Sequence, residues 1–202
     1  MELTGSIRAD RPLVVAALHS EIQYLEGDWP RLVTGVGKVA AATAVRGALC
    51  AGLPSVIVNV GTAGALVDGL SGTFAVDQVR QHDFDSPTMR RLTGRNFGEP
   101  IDLTVLPEES RLVRCASGDL FVEQADVRDR LARDAQVCDM EGYAVAFAAR
   151  SVDIPVVMLK CVSDPADESA RESWIDAVHP TARMIAQAVE ERRHRLESFA
   201  GC

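Results

Sequence analysis

Short apolar runs recur along the chain, each closed by a glycine, a proline or an acid and followed by residues with helical spacing. Leu13 to Leu18 reads as a first buried strand, with a short helix over Ile22, Tyr24 and Leu25 after it. Arg31 to Thr34 is a second short strand, leading into an Ala-rich helix that begins near Lys38 and is stopped by Gly52. Ser55 to Val60 is a third strand, ending in a turn at Gly61-Thr62-Ala63-Gly64. Between 68 and 110 the pattern weakens: Thr73 to Gln81 is compatible with a strand, and His82 to Gly98 reads as a mobile polar loop, a lid or an oligomer contact. Arg111 to Ala116 returns as a strand, and a helix runs from an N-cap at Asp126 to Arg133. Thr181 to about Phe199 is a long amphipathic helix, preceded by a loop of small and acidic residues before Trp174. Strands and helices alternate, which predicts an α/β fold: one domain over residues 1–202, a three-layer sandwich around a central mixed sheet.

The stretch from Gln136 to Asp167 organises the rest. Met140 and Glu141 open an apolar helix running to about Arg150, and Val156 to Val162 is a continuous apolar run of the buried-strand kind. Ser163 and Asp164 stand at its carboxyl end, before Pro165. In open α/β sheets ligands bind at that rim, so Glu141 and Asp164 arrive together where acid–base chemistry is possible. Glu21 follows the first strand in the same way. Singly, each acid is more simply a cap or a solvated charge; three on one rim point to a site.

Composition narrows the partners. With 47% hydrophobic residues the chain can bury a full core, and a formal charge of −8 argues against nucleic acid or an anionic membrane surface. The five cysteines (Cys50, Cys115, Cys138, Cys161, Cys202) form no CxxC pair and read as reduced core residues of a cytoplasmic protein. The four histidines lie far apart, so no metal site is expected. Neither a signal peptide nor a membrane span is visible.

Gly35-Val36-Gly37-Lys38-Val39-Ala40 fits the dinucleotide pattern GxGxxA, but the next strand closes without the expected acid. A phosphate loop fails too, because Val39 stands where Ser or Thr must follow the lysine. Tight strand-to-helix packing is the better reading. Gly61-Thr62-Ala63-Gly64 is either a plain turn or a cradle of backbone N–H groups for an oxygen-rich ligand.

Six segments in order resemble the 5′-methylthioadenosine/S-adenosylhomocysteine nucleosidases of the nucleoside phosphorylase-like superfamily. They are Ala17 to Glu21, Thr34 to Ala42, Val58 to Ala65, Ser117 to Val122, Asp139 to Gly142, and Val162 to Asp164. The resemblance implies an N-glycosyl hydrolase that releases the free base of a purine nucleoside and uses neither cofactor nor metal. Matched position by position, Glu21 would activate the attacking water, and Thr62, with Ala63 and Gly64, would sit beside the ribose. Phe121 would stack on the purine, and the backbone of Val122 would read its edge. Met140 would pack under the ribose, while Glu141 accepts its hydroxyls. Asp164, oriented by Ser163, would donate a proton toward the purine N7. The phosphorylases resemble one another in a Gly-Asp-Pro segment with a nearby Arg after the first strand; here Leu18-His19-Ser20-Glu21 stands there, which favours water as nucleophile. Alternatives are a futalosine-type nucleosidase, a phosphorylase with a rebuilt phosphate site, and a non-catalytic nucleoside-binding protein. The 66–110 section is short and carries little family signature beyond His82-Asp83. By the same resemblance the protein would be a homodimer, with 66–110 near the interface.

Overall fold

The computed structural model describes residues 1–201; Cys202 lies outside them. The strands among them are β1 (Glu2–Thr4), β2 (Leu13–Ala16), β3 (Arg31–Val33), β4 (Ile57–Ala65), β5 (Thr73–Gln81), β6 (Ile101–Asp102), β7 (Leu112–Ser117), β8 (Val137–Asp139) and β9 (Val156–Asp164). The helices are α1 (His19–Ile22), α2 (Lys38–Ala51), α3 (Ser86–Thr93), α4 (Ala125–Leu131), α5 (Gly142–Arg150) and α6 (Ala170–Glu197).

All nine strands belong to one mixed sheet. Five of them close on themselves: β4 pairs with β9, β9 with β5, β5 with β7, β7 with β8, and β8 again with β4. From this ring an open arm of β2, β3 and β1 extends off β4. The β4–β9 register runs regularly from Ile57↔Val156 to Ala63↔Val162 and then slips, so that Gly64 faces Asp164. Such an irregularity re-aims a side chain at a strand end, and here the side chain is that of Asp164. On the side of β4 away from β9, β2 flanks Ile57 to Asn59 and β8 flanks Gly64 and Ala65. The stretch from Val60 to Ala63 has no strand there.

Two helical layers cover the sheet. On one face α2 and α5 bury Ala41, Ala44, Val45, Ala48 and Leu49 against Ala144, Val145, Ala148 and Ala149, over Leu13, Val15, Ile57 and Val156. The α2 positions recur at three and four residues, the spacing that puts them on one face, and their small side chains let the helices approach closely. On the other face Ile185, Val189 and Leu196 of α6 cover Val14, Val58, Val60, Val157 and Leu159. The sandwich read from the sequence is the observed architecture.

Several boundaries differ from the expectation. Gly61-Thr62-Ala63-Gly64 is strand, not turn. The polar loop at 82–98 contains helix α3, capped by the Asp85 side chain on Thr88 N–H and ended by Gly94 in the left-handed region. Helix α4 starts at Ala125 with Gln124 as N-cap, so Asp126 lies inside its first turn. Helix α6 begins at Ala170 and takes in both Trp174 and Pro180. Pro180 removes an N–H from the helix ladder, and the Thr181 hydroxyl donates to the Ala177 carbonyl one turn back, at 2.7 Å. Strand β1 pairs with β3 without any apolar pattern, all three of its residues being exposed. Cys50 is exposed, unlike the buried free thiols of Cys115, Cys138 and Cys161.

Candidate active site

The ends of β4, β8 and β9 and the loops after β2 and β7 enclose a cavity of about 240 Å³. Every site residue expected from the sequence lines it: Glu21, Thr62, Ala63, Gly64, Phe121, Val122, Met140, Glu141, Ser163 and Asp164. Its charged lining residues are Glu21, Asp139, Glu141 and Asp164, all acids.

Glu21 fills the gap on β4. It stands in the single turn of α1 and is 5% exposed. Its Oε1 accepts the Thr62 N–H (2.8 Å) and the Thr62 hydroxyl (3.1 Å), and its Oε2 accepts the N–H groups of Leu18 (3.0 Å) and Ala17 (3.2 Å). The carboxylate thus replaces a neighbouring strand. A Cβ on Gly61 would come within 2.9 Å of Oε1, so any side chain there would push the Glu21 carboxylate off its four donors.

Glu141 occupies the N-cap position of α5, yet its side chain makes no cap. It crosses to the turn before α2, where its Oε1 accepts the Gly37 N–H at 2.7 Å. Gly37 has φ +93°, a left-handed conformation that glycine adopts without strain. The Gly35–Gly37 segment is therefore more than a packing turn: it presents an amide to a buried carboxylate. Burial, with Asp139 adding repulsion, pushes Glu141 up to about 7.

Beneath Glu141 lies a buried ion pair. Lys160, in the middle of β9, reaches Asp139 Oδ2 at 2.7 Å, the two side chains being 2% and 1% exposed. The same oxygen accepts the Gly142 N–H (2.9 Å), while Oδ1 accepts the Ser117 hydroxyl (2.5 Å), which in turn accepts the Tyr143 N–H (2.9 Å). Burial opposes charge on Asp139, but the Lys160 ammonium and these donors hold its carboxyl below the usual range. Lys160 is raised despite its own burial, with Asp139 as the cause.

Asp164 takes the Ser163 hydroxyl on Oδ2 (2.7 Å) and the Ala166 N–H on Oδ1 (3.0 Å). Burial outweighs both donors and raises its pKa. Gly64 again makes room: a Cβ there would lie 3.0 Å from Asp164 Oδ1 and 3.1 Å from Cys138 Sγ.

Sequence reasoning missed several participants. Asp139, Lys160 and Ser117 form the network under the site, and Trp174 lines the cavity and donates its indole N–H to the Thr62 hydroxyl at 3.2 Å. Lys160 carried a usable signal, a lone cation inside an apolar strand; Trp174, set within a polar stretch, carried none. Among the described residues no group of three or more His, Cys, Asp or Glu side chains is arranged to hold a metal ion.

The sequence pattern of the phosphorylase superfamily matches residues 23–192. The chain belongs to the phosphorylase superfamily. Within it, a 5′-methylthioadenosine/S-adenosylhomocysteine nucleosidase of Haemophilus influenzae (strain PittEE) is 26% identical over 217 residues, covering 97% of this chain and 95% of its own. The crystal structure of the Helicobacter pylori nucleosidase of the same name matches with a TM-score of 0.80 at 19% identity, over 95% of this chain and 99% of its own. The futalosine hydrolase of the same organism matches with a TM-score of 0.79 at 20% identity, over 92% and 98%. The two structural likenesses establish the shared fold.

Proposed function

We propose that this superfamily member is a purine nucleosidase, hydrolysing the N-glycosidic bond of a 5′-modified adenosine and releasing the free base. The observation that carries this is the cavity lining, which holds four acids and no cation among the described residues. Glycosidic cleavage passes through an oxocarbenium-like sugar, which such a lining stabilises where positive charge develops. The same lining repels inorganic phosphate, which disfavours phosphorolysis.

Phe121 and Val122 take the base, and Met140 and Glu141 take the ribose, Glu141 as a carboxylate accepting its hydroxyls. Asp164 protonates the purine N7 as the C1′–N9 bond breaks and its electron pair passes to the base. Its pKa is raised by burial, the direction a general acid needs, and general acid catalysis of this kind is worth on the order of 10²–10⁴ in rate. Glu21, steered by Thr62, accepts a proton from the water that bonds to C1′. A binding-only protein would have no use for three carboxylates around a leaving base.

The test is to incubate the protein with methylthioadenosine, with and without phosphate, and follow free adenine. Adenine without phosphate supports the reading; strict phosphate dependence points to a phosphorylase, and binding without turnover to a carrier. A panel varied only at the 5′ position (methylthio, homocysteinyl, deoxy, futalosine) then identifies the substrate.

The assembly proposed is a homodimer, supported by the exposed apolar side chains of Phe84, Leu92 and Phe97 in the 66–110 section; sedimentation equilibrium tests it. A cytoplasmic location fits the free buried thiols. No helix among the described residues is long and apolar enough to cross a membrane.

A further inference from the structure

Five charged residues are buried in the described part of the chain: Glu21, Asp139, Glu141, Asp164 and Lys160. The four acids line the cavity, whereas the one cation does not. Lys160 rises from beneath, paired in register with Gly61. Its Nζ lies 3.5 Å from where a Cβ on Gly61 would stand, a point 2.9 Å from Glu21 Oε1, so the ammonium and Glu21 flank one bare Cα.

The acids are unequally served. Glu21 accepts four hydrogen bonds, and Asp139 accepts two in addition to the Lys160 ion pair. Glu141 accepts one, from Gly37 N–H. The charged groups acting on it are Asp139 from β8, Glu21 from α1 and Lys160 from β9; Cys115 from β7 acts on Lys160 in turn. With Asp139 two residues away and nearly free of water, a second carboxylate charge at 141 is tolerable only while Asp139 is neutralised.

We infer that Lys160 is a positioning residue: through its ion pair with Asp139, beneath the first turn of α5, it offsets the Asp139 charge and so favours the carboxylate form of Glu141 in the substrate cavity. This rests on the role given to Glu141 above.

The test combines two readouts, the carboxyl ¹³C titration of Glu141, assigned with Glu141→Gln, and the pH profile of kcat/KM. In Lys160→Met the Glu141 midpoint should rise by about one unit or more, with kcat/KM on the acid limb falling about tenfold. Lys160→Arg should restore both. The double variant Lys160→Met/Asp139→Asn removes the repelling charge along with its partner, so the midpoint should return to the wild-type position or below it. A midpoint unmoved by Lys160→Met, or a double variant as shifted as the single one, overturns the inference. Should Lys160→Met alone not fold, the double variant carries the test, since it removes the Asp139 charge together with its partner; a raised midpoint there is the overturning result. Absent turnover in every form, with the titrations behaving as described, faults the nucleosidase reading and leaves this inference standing.

Discussion

Two ion pairs shielded from water are built to different rules. Arg192 of α6 meets Glu109 through two 2.7 Å bonds and also donates to the Ala188 carbonyl, far from the cavity. That pair has side chains 12% and 5% exposed, and Arg192 also meets the more exposed Glu191 at 3.7 Å. Lys160 and Asp139 are buried more deeply, and their single positive charge lies among four acids. Away from the cavity, charge is compensated and serves packing. Beside it, negative charge is left in excess, held against the folding free energy.

The sharpest way to break the comparison is at the rim. Asp164→Asn should lower turnover at least a hundredfold while the protein stays folded, because the raised pKa shows its charge to be unfavourable in the native state; near-wild-type turnover would remove Asp164 from the mechanism. At the other pair the losses should be reversed. Arg192→Met leaves Glu109 buried without its partner and should cost about 3 kcal/mol in chemical denaturation, with turnover per folded molecule unchanged. A matching loss of specific activity would mean that the two regions are coupled.

The pH dependence of stability should also separate them, with opposite signs. Glu141 binds its proton more tightly in the folded protein, up to about 7, so stability declines as pH rises from its unfolded value through that point. The decline is worth about 3 kcal/mol at 1.36 kcal/mol per unit and should vanish in Glu141→Gln, which should also lose turnover and ribose affinity together. Glu109 is held low by its hydrogen bonds from Arg192, so its contribution is present above its unfolded pKa and disappears as pH falls through the folded one. Melting curves of the two variants across pH 3–9 would show whether each slope belongs to its assigned group. The smallest effect expected is at Trp174. Replacing it with Phe removes one hydrogen bond to Thr62, worth about 1 kcal/mol, and should change KM more than kcat.

What the sequence disclosed and what it concealed have physical causes. The acids at 21, 141 and 164 were legible because each ends an apolar run or opens a helix, a place recognisable without knowing the partners. The strand at Gly61-Thr62-Ala63-Gly64 was not, because glycines advertise turns. Here neither Gly61 nor Gly64 has positive φ; they are glycine to leave room for the oxygens of Glu21 and Asp164. Helix α6 was read only from Thr181, whereas it begins at Ala170 and carries Pro180 in its interior. The Lys160–Asp139 pair was invisible because it joins two strands that do not pair with each other, and no spacing rule connects them.

The closed ring of β4, β8, β7, β5 and β9 implies that deuterium will enter the two halves of the pocket on different timescales. Amides of β9 from Met158 to Cys161 are flanked by β4 and β5 and should exchange only with global opening. Residues 118–124 have no regular structure and are held by scattered ties: the Gly118 N–H on the Asp139 carbonyl, the Asp83 and Asp119 side chains, and Arg171 on Glu123. The 118–124 side of the pocket should therefore exchange first and the β9 side last.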